Sequence, residues 1–126
     1  MQYFNLTGHP VEVLDPDTGE ITLIPRDERG NIRIQYGYTK RADGLYEIGF
    51  DVPFLPPEEE GVLVILSAIA AKAAWTHHPK RNDIVHPATH HPRSRRVWRD
   101  DGTGKQAREV DQVPGFCGRP SPGLYA

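Results

Sequence analysis

Cysteine is almost missing from this chain: Cys117 is the only one among 126 residues. One thiol excludes an internal disulfide and any zinc site built from several cysteines, and it fits a reducing compartment. No sign of charge dominates, since 15 Lys and Arg face 17 Asp and Glu for a net charge of −2. That balance provides no overall field for a nucleic acid backbone or an anionic membrane. Long apolar runs are absent as well. The longest, within residues 61–75, is interrupted by Ser67 and Lys72, and it falls short of the roughly 20 residues that cross a bilayer. The first six residues lack the basic start and apolar stretch of a secretory leader. The chain is therefore expected to be soluble and cytoplasmic, without a membrane partner and with nucleic acid disfavoured. Hydrophobic residues make up only 37%, while Gly and Pro number 12 each. Those values predict one domain with a modest core and many turns.

Signatures of catalysis are equally scarce. There is no Gly-x-Ser-x-Gly elbow, no phosphate loop of the Walker or dinucleotide type, and no His-Glu-x-x-His pair. Glu58, Glu59 and Glu60 adjoin one another on a Pro-rich connector and do not form an acid/base pair. The composition favours a protein that is not an enzyme, and no catalytic residue and no cofactor is assigned.

What the chain does contain is centred on residues 61–75. Val62, Leu63, Val64, Ile65 and Leu66 form a continuous aliphatic run, the pattern of a strand covered on both faces. From Ser67 to Trp75 the sequence is Ala-rich with one charge, Lys72, which predicts a short helix buried on most sides. Ser67 stands at the changeover, where a hydroxyl can cap the first turn. Upstream, residues 11–14 and 21–24 alternate around the turn residues of 15–19, predicting a hairpin. A second hairpin is expected from 32–36 and 45–52, with Ile32, Ile34 and Tyr36 sharing a face. Downstream, 84–85 reads as a brief strand, 86–92 as a Pro-rich loop, and 106–113 as a last strand. The expected fold is α+β: a mainly antiparallel, twisted sheet or small partly open barrel of six or seven strands with one short buried helix. A single domain over residues 1–113 is expected to be followed by a mobile tail, 114–126.

Several short blocks are similar to a known group. Asn5-Leu6-Thr7, followed by His9-Pro10-Val11, resembles the Asn-Leu-Thr-Pro-His opening of small uncharacterised phage and prophage proteins. Residues 60–70 resemble that group's strand-Ser-helix element, residues 81–87 match a further block, and Asp100-Asp101-Gly102 is similar to its acidic turn. Gly8 stands where the group usually has proline. The resemblance implies a phage-type origin and action in the host cytosol, and it implies no catalytic activity.

Four constellations could carry function. Asn5, Thr7 and His9 alternate, so an extended segment would place them on one face. They are either a ligand-binding row or caps for a turn. Ser67, Arg81 and Asp83 fall towards the two ends of the expected helix. Ser67 could help hold an anion at the helix start, or act only as a cap beside an Arg81–Asp83 pair that fixes a loop. Five of the six histidines (His77, His78, His86, His90 and His91) lie within fifteen residues. With a carboxylate such as Asp83 they could ligate a metal, but their spacing matches no metal motif and they sit among prolines, so a solvated loop is the favoured reading. Arg93, Arg95, Arg96 and Arg99 surround Trp98. They could contact phosphates and stack a base, unless Asp100, Asp101, Glu109 and Asp111 neutralise them.

The leading expectation is a small binding protein for an anionic, nucleotide-like ligand or a host protein surface, through Asn5, Thr7, His9, Ser67, Arg81 and Asp83. The alternatives are a metal-dependent hydrolase using His77 to His91, and a structural or assembly component that pairs through a sheet edge as a homo-oligomer.

Overall fold

Leu66 and its two predecessors, Val64 and Ile65, are fully buried. Burying three such side chains is worth on the order of 5–9 kcal/mol, as much as the net stability of a typical domain. These residues sit on or beside strand β6 (Val62–Ile65) in a computed structural model that describes residues 2–28, 32–52, 55–100 and 107–120. Gly61, at a φ of 77°, turns the chain into this strand with a backbone conformation that side chains with a Cβ avoid. Ser67 then caps helix α1 (Ala68–His77), its Oγ accepting from the Ala70 amide at 3.3 Å.

The described residues contain ten strands. Besides β6 they are β1 (Gln2–Asn5), β2 (Val11–Leu14), β3 (Ile21–Ile24), β4 (Gln35–Lys40) and β5 (Tyr46–Asp51) before it. After α1 come β7 (Ile84–Pro87), β8 (Arg95–Asp100), β9 (Ala107–Val113) and β10 (Phe116–Cys117). They form two four-stranded sheets, β1-β6-β7-β10 and β3-β2-β9-β8, and a separate β4–β5 ribbon.

The alternation of β6 explains the layering. Val64 and Leu66 pack with Phe4, Ile84 and the buried helix residues Ala70, Ala71, Ala73, Ala74 and Trp75. Ile65 and Leu63 face the other way, with Tyr3, Val85, Ile24 and Val13. Successive strand residues point to opposite faces, so the first sheet has the helix on one side and the second sheet on the other. The result is an α+β fold of three layers, with twisted sheets and the strand–Ser–helix element at its centre. No helix among the described residues is long and apolar enough to cross a membrane.

Several expectations change. Of the two expected forms the twisted sheet is found, since none of the described sheets closes into a barrel; four of the seven strand pairings are antiparallel, while β1–β6, β6–β7 and β2–β9 pair in parallel. Residues 32–34 are not strand: the Ile32 amide donates to the Leu6 carbonyl at 3.0 Å, and Ile32 and Ile34 pack against the helix-side core. Their alternation serves burial of an extended connector, and strand pairing begins only at Gln35. His86 and Pro87 belong to β7 rather than to the loop after it.

The expected tail divides as well. Phe116 and Cys117 pair with Pro87 and His86, and the Arg119 guanidinium donates to the carbonyls of His78, Pro79 and Arg81. Residues 114–120 are thus latched onto the end of α1, where a cation also meets the negative end of the helix dipole. Residues 121–126 lie outside the described residues.

Candidate functional site

Asn5 is the pivot of the site although it lies beneath it. Only 1% of it is exposed, so its amide must find partners within the protein. Nδ2 donates to the carbonyls of His9 (2.9 Å) and Ile24 (3.1 Å). Oδ1 accepts from the Thr7 amide (3.2 Å) and the Thr7 hydroxyl (2.6 Å). Gly8, at a φ of 89°, completes the turn in a backbone conformation that proline cannot adopt. The turn presents Thr7 and His9 outward, between β1 and β2.

Their outward side borders a cleft of about 530 Å³. Four other segments complete its wall: Ser67 and Ala68 at the start of α1, Thr89 and His90 after β7, Ser94, Arg95 and Arg96 at the start of β8, and Asp111 on β9. The loop before β8 is shaped by its own bonds. The Ser94 hydroxyl donates to the Ala88 carbonyl, and the Ser94 amide donates to the His91 carbonyl at 2.9 Å.

Asp111 is the electrostatic centre. One carboxylate oxygen lies 3.3 Å from His9 Nε2 and the other 3.4 Å from Arg96 Nε. Arg96 also reaches Glu109 at 3.6 Å. A single carboxylate therefore stands between two cation-forming groups. At the helix start the amides of Ala68 and Ile69 have no acceptor within the helix, which adds partial positive charge to the same wall.

Behind this wall a polar chain crosses the second sheet. Arg95 Nε donates to Gln112 Oε1 at 2.7 Å, and Gln112 Nε2 donates to Glu12 Oε1 at 3.1 Å. Arg99 closes the chain with a two-pronged contact to Glu12, both bonds at 2.9 Å. Gln112 and Glu12 are buried, at 0% and 5% exposure. The Arg99 guanidinium, with help from Gln112, lowers the Glu12 pKa against the opposing effect of burial. This chain holds Arg95 at the cleft edge through its Nε.

Of the expected ligand residues, Thr7, His9 and Ser67 reach the cleft, and Asn5 supports it from below without lining it. Arg81 and Asp83 do not join it. They lie past the far end of α1, where Arg81 Nε and Nη2 each meet an Asp83 oxygen at 2.8 Å. Arg81 Nη2 also donates to the Pro56 carbonyl at 2.8 Å, and its pKa is raised by Asp83. The pair pins the Pro-rich connector to the segment before β7, which is its physical role.

The histidines scatter. His77 ends α1 and His78 caps it, His86 lies against Trp75 with ring centres 5.9 Å apart, and His91 Nδ1 accepts from the Arg93 amide. Of these five only His90 reaches the cleft, and among the described residues no three His, Cys, Asp or Glu side chains gather as a metal site. Asp111 was named in the sequence only as a neutraliser of the arginines, which its register opposite Arg96 bears out; its approach to His9 was not visible there, because it depends on the parallel pairing of Val11 with Asp111.

Replacing Ser67 with alanine removes the cap and is expected to cost about 1 kcal/mol of stability. Ser67→Asp, which can cap as well, should restore most of it. Urea unfolding of both variants checks this, and equal stability of wild type and Ser67→Ala would deny the hydroxyl its capping role.

No protein-family model, curated protein or solved structure matches this chain.

Proposed function

We propose that the chain is a non-enzymatic binding protein for a small anionic ligand, held in the cleft between the Asn5–His9 turn, the start of α1 and the start of β8. The observation that carries this reading is the convergence of His9, Ser67, His90, Arg95 and Arg96 from distant parts of the sequence onto one concavity. Its volume falls in the range of small-molecule sites. Arginine forks and helix amides make charge-assisted bonds to phosphate or carboxylate oxygens. Asp111 serves as an internal counter-ion for His9 and Arg96, and an incoming anion takes over that role at Arg96. Sequestration is favoured over turnover because the hydroxyls are already engaged, Ser67 as acceptor for Ala70 and Thr7 as donor to Asn5. On the phage resemblance, the setting is the cytosol of an infected host.

Inorganic pyrophosphate is the test ligand. At a hundredfold excess over its Kd it should add about 2.7 kcal/mol to stability, read as a rise in the thermal midpoint. Arg96→Glu, at a side chain 69% exposed, should fold normally and lose the response. An unmoved midpoint in wild type at millimolar pyrophosphate would reject the reading.

A second reading, contact with a host protein or another copy of the chain, has one observation behind it. Tyr36, Tyr38 and Ile48 share one face of the β4–β5 ribbon with Tyr46, and all four are more than half exposed. An isolated two-stranded ribbon is marginal in water. Light scattering across a concentration series separates a self-associating chain from a monomer.

A further inference from the structure

Trp98 is 66% exposed, although an indole has more apolar area to hide than most side chains. It follows Arg96 by two positions on β8, so both project from the same side of the strand, about 6.6 Å apart along it. Arg96 lines the cleft and contacts Asp111. An aromatic face therefore stands one step outside a cationic concavity, at a spacing comparable to that between the base and the first phosphates of one nucleotide. Trp98 pairs across the strands with Glu109, whose carboxylate is 3.6 Å from Arg96 Nη1. That places a hydrogen-bond acceptor beside the indole, where the amino group of a stacked base would lie.

We propose that the anionic ligand is a free nucleotide, its phosphates in the cleft with Arg96, His9 and the start of α1, and its base stacked on Trp98. The assignment rests on the anion-binding reading above and adds the nucleoside half of the ligand. Stacking on an aromatic side chain is tolerant of base identity, so Trp98 supplies affinity for a base and Glu109 a preference for bases carrying an amino group. A long polynucleotide is disfavoured as the ligand, because a chain of net charge −2 offers no extended positive track for its backbone.

The two tryptophans make the test direct. Trp75 is buried, with its Nε1 donating to the Ile84 carbonyl at 3.1 Å, so a change in emission on binding reports Trp98. Wild type and Trp98→Ala are titrated in magnesium-free buffer with inorganic tripolyphosphate and with each of the four ribonucleoside triphosphates, followed by calorimetry and, for wild type, fluorescence. In wild type the best nucleotide should bind about tenfold or more tighter than tripolyphosphate and quench the emission. Trp98→Ala should lose that advantage while keeping its tripolyphosphate affinity. Equal affinity for tripolyphosphate and every nucleotide in wild type, or an advantage that survives in Trp98→Ala, overturns the nucleotide assignment and leaves the anion site standing. Failure of all five compounds to bind overturns both.

Discussion

Replacing Asn5 with alanine is expected to lower the thermal midpoint by roughly 10 °C. Four hydrogen bonds end at this one buried amide. Alanine leaves the Ile24 carbonyl without this partner in a buried place, and each such loss costs about 1–3 kcal/mol. The carbonyl of His9 and the amide of Thr7 are nearer to solvent and can recover water, so the total is about 3 kcal/mol rather than the sum of four bonds. For a domain of this size each kcal/mol moves the midpoint by roughly 3–5 °C. Asn5→Asp should be worse, because a carboxylate would face two carbonyl oxygens where Nδ2 now donates. Calorimetry on both variants decides it: a loss below about 1 kcal/mol in Asn5→Ala would mean the turn is held by something else. Since the turn carries Thr7 and His9, the same variant should also bind pyrophosphate more weakly, although Asn5 does not line the cleft.

Acid should loosen the second sheet through a single carboxylate. Glu12 accepts two bonds from Arg99 and one from Gln112, and these hold its pKa below the ordinary 4.5. A carboxyl group whose pKa is lower in the folded state binds protons more readily when unfolded. Its stabilising contribution is therefore complete above pH 4.5 and is lost as the pH falls through the lower folded value. Wild type should exceed Glu12→Gln by a constant margin from pH 7 down to about 5, and the margin should shrink below 4.5. Glu12→Ala at pH 7 should cost about 2–3 kcal/mol, the lower part of the range for breaking a buried ion pair, because Arg99 is 46% exposed and regains water. Urea unfolding at pH 7, 5, 4 and 3 measures the margin. Parallel curves for wild type and Glu12→Gln throughout would show that Glu12 does not titrate with folding.

The difference between these two residues also explains what could be read from the sequence. The strand–Ser–helix element was legible because its signals are local: an aliphatic run, a hydroxyl at the changeover, and then alanines with one lysine. The first hairpin was legible for the same reason, with turn chemistry between two alternating segments. Ile32 and Ile34 misled because alternation marks one-sided burial, and an extended connector laid on a core satisfies that as well as a strand does. The row of Thr7 and His9 was visible as a pattern, but the buried anchoring role of Asn5 was one of two open readings. Arg81 and Asp83 are two residues apart and found each other, a structural pairing that the sequence had offered as the alternative to a ligand site. Of the cleft's centre, the pairing of Arg96 with Glu109 and Asp111 was among the neutralising contacts that the sequence offered, but the approach of His9 to Asp111 could not be read. Asp111 meets His9, and Glu12 meets Arg99, only because β2 lies parallel to β9, and a parallel pair leaves no connecting turn to announce it.

That same β2–β9 pairing governs how the chain can be made. Val11 is fully buried, yet its parallel neighbour Asp111 is synthesised a hundred residues later. While a ribosome is adding residues 25–106, β2 has only its hairpin partner β3, and its other edge stays open to any passing strand. The second sheet can be completed only once β9 has been synthesised, and long-range pairings of this kind make folding slow. A chain interrupted before residue 107 would retain fifteen of the seventeen buried hydrophobic positions without the strand that completes the second sheet, and it would be a substrate for chaperones and proteases rather than a partly working protein.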